Sequence, residues 1–409
     1  MEVADVSHEI IDHCGHTHEL LNVVDAAVKQ KGSAKVVAAA DMDFTTHKGD
    51  WGVLFHDARL LSDRNWALDA DQFDRIVVPA KYGRLLSKWA SDVTLNHIVR
   101  KKSGLILDIG CDLSKLYPLN QNDSRDVNEK LIIRDHFAIL MKLLDQGVIH
   151  FEPEFEKEFR RQFLLRSRFL MGSQPRDIVD FTKEAVEIGC TPDHPDQRVK
   201  LNFNQDLVRT LKLDVTIEKI LESLADGETF DQNQEIDRSI GVVQQVRACL
   251  NRVVELDGAS VVATMNLAGI GSTVLEHDFQ YAFLKQQDAA NGSPKNILVG
   301  TRLSETPEGL FLPKPDGEVV HGEVKMRRAV EMAEKMNRKL FIAMGDSPRT
   351  DFEMMLKALE NGGIVLVVGP DYETTKNKFS PKFSPQLALH PEYAERIFYV
   401  STGRAGFVH

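Results

Sequence analysis

The sequence predicts an α/β fold: a parallel sheet that carries the chemistry, interrupted after its first strand by a large helical insertion. Three observations predict it. The run Val36-Val37-Ala38-Ala39-Ala40 is apolar without polar alternation, as in a strand buried on both faces, and it ends abruptly at Asp41. Short apolar runs of the same kind return after residue 258 and alternate with helical stretches, the pattern of right-handed strand–helix–strand crossovers. Between the two lies a long segment with Leu, Ile, Val and Phe at three-to-four spacing and few strand-like runs.

Taken in order, Leu20, Leu21, Val24, Ala27 and Val28 recur at helical spacing and stop at Gly32, which predicts a helix laid against the core. Upstream, His13, Cys14, His16 and His18 form a cluster of the kind that can hold zinc. The simpler reading is a polar lead-in to that helix near a mobile terminus, because no second ligand cluster appears elsewhere. After Thr46 the chain turns loop-like and then helical, around Tyr82–Arg100, Asp126–Gln146, Pro153–Met171, Arg176–Ile188, Thr216–Leu224 and Gln232–Leu256. The expected organisation is a helical segment at 1–34, a core of 35–59 and 255–409, and an inserted helical unit at 60–254. Ala259–Ala263, Ile297–Val299, Leu340–Met344, Ile364–Val368 and Ile397–Val400 read as buried strands, with helices at Arg327–Lys335 and Phe352–Leu359. Lys376–Pro385, KNKFSPKFSP, reads as a loop by composition.

Composition narrows the function classes. Of the 409 residues, 43% are hydrophobic and 27% charged, a balance that argues for a folded globular chain. A net charge of −11 gives no support to nucleic-acid binding, which calls for a basic face. Cys14, Cys111, Cys190 and Cys249 lie far apart without a CxxC pair, as expected for reduced thiols in a cytoplasmic protein. The first residues lack the basic and apolar regions of a signal peptide, and no apolar run approaches the roughly 20 residues of a membrane span.

Polar residues gather where the predicted strands end, which is where open α/β sheets place their ligands. The first strand yields Asp41 and Asp43, which alternation would put on one side with Met42 opposite, followed by the hydroxyls of Thr45 and Thr46. The next yields Thr264 and Asn266. A later one runs into Gly345-Asp346-Ser347, and Thr350 with Glu353 fits a capping box that places Asp351 in the first turn of a helix. Lys325 stands at the start of the preceding helix, with Lys314 as a rival in the turn-like LPKPDG. Phosphoester cleavage needs such a set. Asp41 could form an aspartyl-phosphate, and Asp43 could protonate the leaving oxygen and then activate water. Mg2+ would suit Asp41, Asp346 and a backbone carbonyl at Asp43. Thr264, Asn266 and Lys325 could hold phosphate oxygens, with Asp351 orienting Lys325.

These residues resemble the haloacid dehalogenase superfamily of aspartate-nucleophile phosphohydrolases. Asp41-Met42-Asp43-Phe44-Thr45 meets its DxDx[TV] motif, Thr264 looks like its strand-end hydroxyl, Lys325 like its lysine, and Gly345-Asp346 through Asp351 like its GD…D motif. The stretch from Val299 to Lys325, with its GTRL, looks like the phosphoserine-phosphatase-like branch. The resemblance implies a Rossmann-like parallel sheet with a mobile cap inserted after the first motif. It also implies Mg2+ as cofactor and a phosphorylated small molecule or phosphoprotein as substrate. The insertion here is larger than that branch's usual cap.

Three other classes compete. The same core residues serve phosphotransferases. A core that has lost turnover would leave a binding protein, although the full set from Asp41 to Asp351 argues against loss. Ile106–Asp112, ILDIGCD, looks like the first motif of a class I methyltransferase, but Asp112 stands where a second Gly lets the backbone approach S-adenosylmethionine. Arg160, Arg161, Arg166 and Arg168 could meet a polyanion or form a solvated helix face.

Overall fold

The computed structural model describes residues 9–32, 35–52, 54–55, 175–192, 194–195, 198–201, 234–237, 240–279, 283–286, 295–307, 309 and 311–403. The helices expected around Tyr82–Arg100, Asp126–Gln146, Pro153–Met171 and Thr216–Leu224 lie outside the described residues, as do Ile106–Asp112 and the four arginines Arg160, Arg161, Arg166 and Arg168.

The expected apolar runs are strands of one sheet. In chain order its members are β1 (Glu9–Asp12), β2 (Thr17–Glu19), β3 (Val36–Asp41), β6 (Ala259–Leu267), β7 (Leu284–Lys285), β8 (Asn296–Thr301), β11 (Lys339–Gly345), β12 (Ile364–Gly369) and β13 (Ile397–Ser401). Two short pairs, β4 (Arg198–Leu201) with β5 (Gln234–Asp237) and β9 (Leu303–Glu305) with β10 (Phe311–Pro315), stand apart from it. The sheet has nine strands in the order β2-β1-β13-β12-β11-β3-β6-β8-β7, parallel from β13 through β7, with β1 and β2 antiparallel at one edge. From β3 the chain builds outward to β6 and β8, then crosses back to add β11, β12 and β13 on the other side. The carboxyl end of β3 is therefore the point where the strand order reverses and a crevice opens.

Both faces of the sheet are covered, which explains why its strands read as unbroken apolar runs. Val36, Ala38 and Ala40 face a layer of α1 (Leu20–Lys31), α2 (Pro175–Cys190), α3 (Gln244–Glu255) and α4 (Ala268–Asp278), while Val37 and Ala39 face α5 (Glu323–Lys335), α6 (Phe352–Glu360) and α7 (Tyr372–Leu389). No helix among the described residues is long and apolar enough to cross a membrane.

Several local readings are corrected. The His13–His18 stretch does not lead into a helix as a polar coil. It is the turn and second strand of the β1–β2 hairpin. Asp12 organises it: Oδ1 accepts the backbone N–H groups of Cys14 and His16, and Oδ2 lies 3.1 Å from His16 Nδ1 and 2.9 Å from His18 Nε2. His16 and His18 thus converge on a carboxylate already held by backbone donors, while His13 Nδ1 lies 2.9 Å from the Tyr399 hydroxyl. Gln232–Leu256 is not one helix, since β5 occupies its start and α3 its end. α3 packs on α1, β3 and β6, so it belongs with the sheet although the expected insertion ran to residue 254. Arg252 ties it to α1 through a two-pronged contact with Asp25, at 2.7 Å on each arm. GTRL is split between β8 and β9, and Lys314 lies within β10.

Lys376–Pro385 is the largest departure. It is the middle of α7, with Pro381 and Pro385 inside the helix. Proline removes a backbone donor and disfavours the helix interior, but Phe379 and Phe383 are fully buried and stack on each other at 5.8 Å, with Phe352 edge-on to Phe383 at 5.4 Å. Burial of two aromatic rings at i and i+4 outweighs the propensity of the intervening residues. Phe379→Ala and Phe383→Ala are each expected to lower the unfolding free energy by about 3–5 kcal/mol in urea denaturation, and Ser384→Ala on the exposed face by less than about 0.5 kcal/mol. Small, equal effects at all three would show that the segment behaves as a loop.

Candidate active site

β3 delivers Asp41 to the crevice, and the chain then leaves the strand. Met42–Thr46 forms a tight turn in which Asp43 is extended (φ −74°, ψ 136°) and Phe44 is left-handed at φ +57°. A bulky side chain in the left-handed region is strained, and that strain is borne where the loop turns back towards the sheet. Met42 points into the apolar layer, while Asp41 and Asp43 share the polar side. The expected juxtaposition holds, produced by the turn rather than by strand alternation.

Asp41 is buried, and both of its hydrogen bonds fall on Oδ1: the Met42 N–H donates at 2.7 Å and Lys325 Nζ lies at 2.8 Å. Lys325, in the first turn of α5 and 2% exposed, bridges Asp41 to Asp351 Oδ1 at 2.7 Å. Asp351 is fully buried. Its Oδ2 accepts the backbone N–H groups of Asp346 and Ser347 at 3.1 Å, and its Oδ1 accepts the Thr350 hydroxyl at 2.9 Å. The expected capping box is therefore not formed. Asp351 is itself the residue preceding α6, and its carboxylate turns back to the end of β11. Gly345 makes that possible, because a Cβ there would stand 2.5 Å from the Asp351 Cβ.

Asp346 lies just past β11, where its Oδ1 accepts the Thr45 hydroxyl at 3.1 Å. Asp43 is held by three donors from two segments: Trp51 N–H at 2.9 Å on Oδ1, and Asn266 Nδ2 at 2.7 Å and the Thr264 hydroxyl at 3.3 Å on Oδ2. The Asn266 backbone N–H in turn donates to Thr264 Oγ1 at 3.0 Å. Thr264 and Asn266, read from the sequence as phosphate holders, here hold Asp43. The structure thus brings Asp41, Asp43, Thr45, Thr264, Asn266, Lys325, Asp346 and Asp351 together. Sequence reasoning missed Lys378 on α7, whose Nζ donates to the Asp346 carbonyl at 2.7 Å and stands 4.0 Å from its Oδ2. The reading of its segment as a loop hid it. Spacing from Phe379 and Phe383 would have placed it on a helix.

The electrostatics are one-sided. Burial, then Asp351, push the Asp41 carboxyl well above the usual carboxylate range, with Lys325 pulling the other way and Asp346 and Asp43 adding to the rise. Burial, then Asp50, raise Asp43 to about 8. Burial would lower Lys325, but Asp351 and Asp41 outweigh it and hold the ammonium above the usual lysine range. Oxygens of Asp41, Asp346 and Asp351 lie within 4.8 Å of one another. Asp351 is committed to Lys325 and two backbone donors, so Asp41 and Asp346 are the pair whose hard oxygens fit a divalent cation. More carboxylate than ammonium in a dry site is a donor set that calls for one.

Stability reports this imbalance directly. Lys325→Met leaves Asp41 and Asp351 buried without their ammonium and is expected to cost about 3–5 kcal/mol. Asp41→Asn removes one crowded carboxylate and is expected to raise the melting temperature by a few degrees in chelator, measured by thermal denaturation. A lower melting temperature for Asp41→Asn would show that the carboxylates do not repel.

No protein-family model matches the chain, and no curated protein matches it in sequence. Among solved structures it is similar to a conserved protein of unknown function from Anaerococcus prevotii DSM 20548, at 14% identity and a TM-score of 0.55, over 95% of this chain and 96% of that one. That likeness is one of fold and runs nearly the full length of both. A cytosolic 5'-nucleotidase IIIB bound to cytidine matches at 10% identity over 93% of this chain and 84% of its own, but with a TM-score of 0.30 it superposes too loosely to inform this one.

Proposed function

We propose that this chain is a Mg2+-dependent phosphomonoester hydrolase of the haloacid dehalogenase type, acting on a phosphorylated small molecule or phosphoprotein through an aspartyl-phosphate. The observation that carries the reading is the meeting of Asp41, Asp43, Lys325, Asp346 and Asp351, from distant parts of the chain, at the carboxyl end of β3.

Asp41 is oriented rather than free to rotate, because the Met42 N–H and Lys325 both hold Oδ1, and Oδ2 is the oxygen presented for attack. Attack forms the bond from Asp41 to phosphorus as the bond to the leaving oxygen breaks, and Asp43 gives that oxygen its proton. A carboxyl raised to about 8 is in its acid form at neutral pH, as this step requires. Asp43 then takes a proton from the water that cleaves the acyl phosphate, which releases inorganic phosphate and restores Asp41. Thr264, Asn266 and the Trp51 N–H position Asp43 for both transfers. Lys325 places positive charge beside the phosphoryl oxygens, and Asp351 is its positioning residue. A divalent cation held by Asp41 and Asp346 would, with Lys325, favour the ionised Asp41 that attack requires against the upward push of burial and the neighbouring carboxylates, and would neutralise phosphoryl charge.

Asp41→Asn is expected to abolish phosphate release from p-nitrophenyl phosphate in Mg2+, and chelation of the wild-type protein to do the same reversibly. Retained turnover in Asp41→Asn would overturn the nucleophile. In single-turnover release of the leaving group, Asp43→Asn is expected to slow alcohol release from an alkyl phosphate by about 10²–10⁴-fold and nitrophenolate release by much less, because nitrophenolate leaves without a proton, whereas the later hydrolysis of the acyl phosphate slows alike for both. Equal losses on both esters would remove the acid role.

A further inference from the structure

Among the described residues a second group of metal-ligating side chains converges away from the carboxylates described above. Cys190, His277 and Asp278 each offer a ligand atom, and these lie within 4.8 Å of one another. The elements that bring them together are the carboxyl ends of two helices, since Cys190 closes α2 and His277 and Asp278 close α4, which packs against α2. Helix carboxyl ends carry partial negative charge, so an aspartate there is disfavoured unless a cation meets it. Asp278 is nonetheless 8% exposed in its side chain. Its neighbours are arranged to hold it: Oδ2 lies 2.8 Å from His47 Nε2, Oδ1 lies 2.7 Å from His277 Nδ1, and Arg247 Nη1 donates to its carbonyl at 3.3 Å. His47 is fixed in turn, fully buried, with Nδ1 2.8 Å from the Thr46 hydroxyl.

We propose that Cys190, His277 and Asp278 form a binding site for a borderline-soft divalent cation such as Zn2+, with His47 as the positioning residue of its carboxylate. A thiolate, an imidazole and a carboxylate are the ligand types zinc takes, and three protein ligands leave a fourth position for water. Mg2+, which takes hard oxygens, has no use for the sulfur, so the two sites would hold different ions. Cys190 Sγ now donates to the Ile240 carbonyl at 3.5 Å; on coordination that proton leaves to solvent and the sulfur turns to the metal. Zinc with bonds of about 2.0–2.3 Å needs its ligand atoms within roughly 4 Å of one another, so the Cys190 sulfur, with the His277 ring on a side chain 53% exposed, has to turn inward from the 4.8 Å spacing. The same exposure opens the site to solvent.

The experiment is titration of the full chain with Co2+ in excess Mg2+, followed by absorption. One equivalent of Co2+ is expected to give a thiolate-to-cobalt charge-transfer band that Zn2+ displaces and Mg2+ does not. Cys190→Ser, a near-isosteric change, is expected to abolish the band. His277→Gln, at an exposed position that leaves the fold intact, is expected to weaken binding by about tenfold or more. The proposal is overturned if no band forms, if it survives Cys190→Ser, or if His277→Gln binds as tightly as wild type. Loss of the band in Cys14→Ser instead would place the metal at the β1–β2 hairpin and also overturn it.

Discussion

Lys325 is the ammonium on which the rest of the arrangement depends. Asp41 and Asp351 are both within hydrogen-bond distance of it, and Asp43 and Asp346 stand close enough to raise Asp41. Like charges packed this tightly in a dry crevice repel, and a folded chain tolerates them only when backbone donors and an opposite charge are already in place. Here the donors are the N–H groups of Met42, Asp346 and Ser347, just past strand ends, and of Trp51, where the chain after the turn becomes helical. The repulsion that remains makes the site receptive to a cation and to a proton on Asp43.

The sheet supplies the rigidity that holds this geometry. β3 lies between β11 and β6 with both faces covered, so its carboxyl end cannot drift, and the registers Asp41 with Ala263 and Ala40 with Met344 fix the heights of the neighbouring loops. The irregular carboxyl end of β6 brings Thr264 and Asn266 to Asp43, and the loop after β11 brings Asp346 and Asp351 to Asp41. The helical layer contributes as well: α5 inserts Lys325 from its first turn, and α7 sends Lys378 to the Asp346 carbonyl, a tie that exists because Phe379 and Phe383 anchor that helix on the sheet. Strain at Phe44 is confined to the turn joining Asp43 to Thr45, where a change of direction is needed to present both side chains.

What was legible in the sequence follows from how local each signal is. Uninterrupted apolar runs identify strands buried on both faces, and an aspartate ending such a run stands out because a charge there needs a partner; Asp41, Asp43 and Asp346 were readable for that reason, and Lys325 from its place at a helix start and its likeness to a motif lysine. Thr264 and Asn266 were readable as residents of the site but not in their part in it. Which carboxylate a hydroxyl or amide serves depends on a loop more than two hundred residues away. The β1–β2 hairpin and α7 were misread because local composition, a His-rich stretch and a Ser-Pro repeat, was overruled by pairing with β13 and by burial of phenylalanines.

By itself the sequence determined the α/β class, the positions of the parallel strands, and the aspartates and lysine with which those strands and helices begin or end. These depend on burial periodicity and charge placement, which are properties of short segments. The tertiary structure alone decided that Thr264 and Asn266 serve Asp43, that Lys378 reaches Asp346, and that Cys190 meets His277 and Asp278. Each of these is a contact between segments whose separation along the chain carries no information about their distance in space until strand order and helix packing are set.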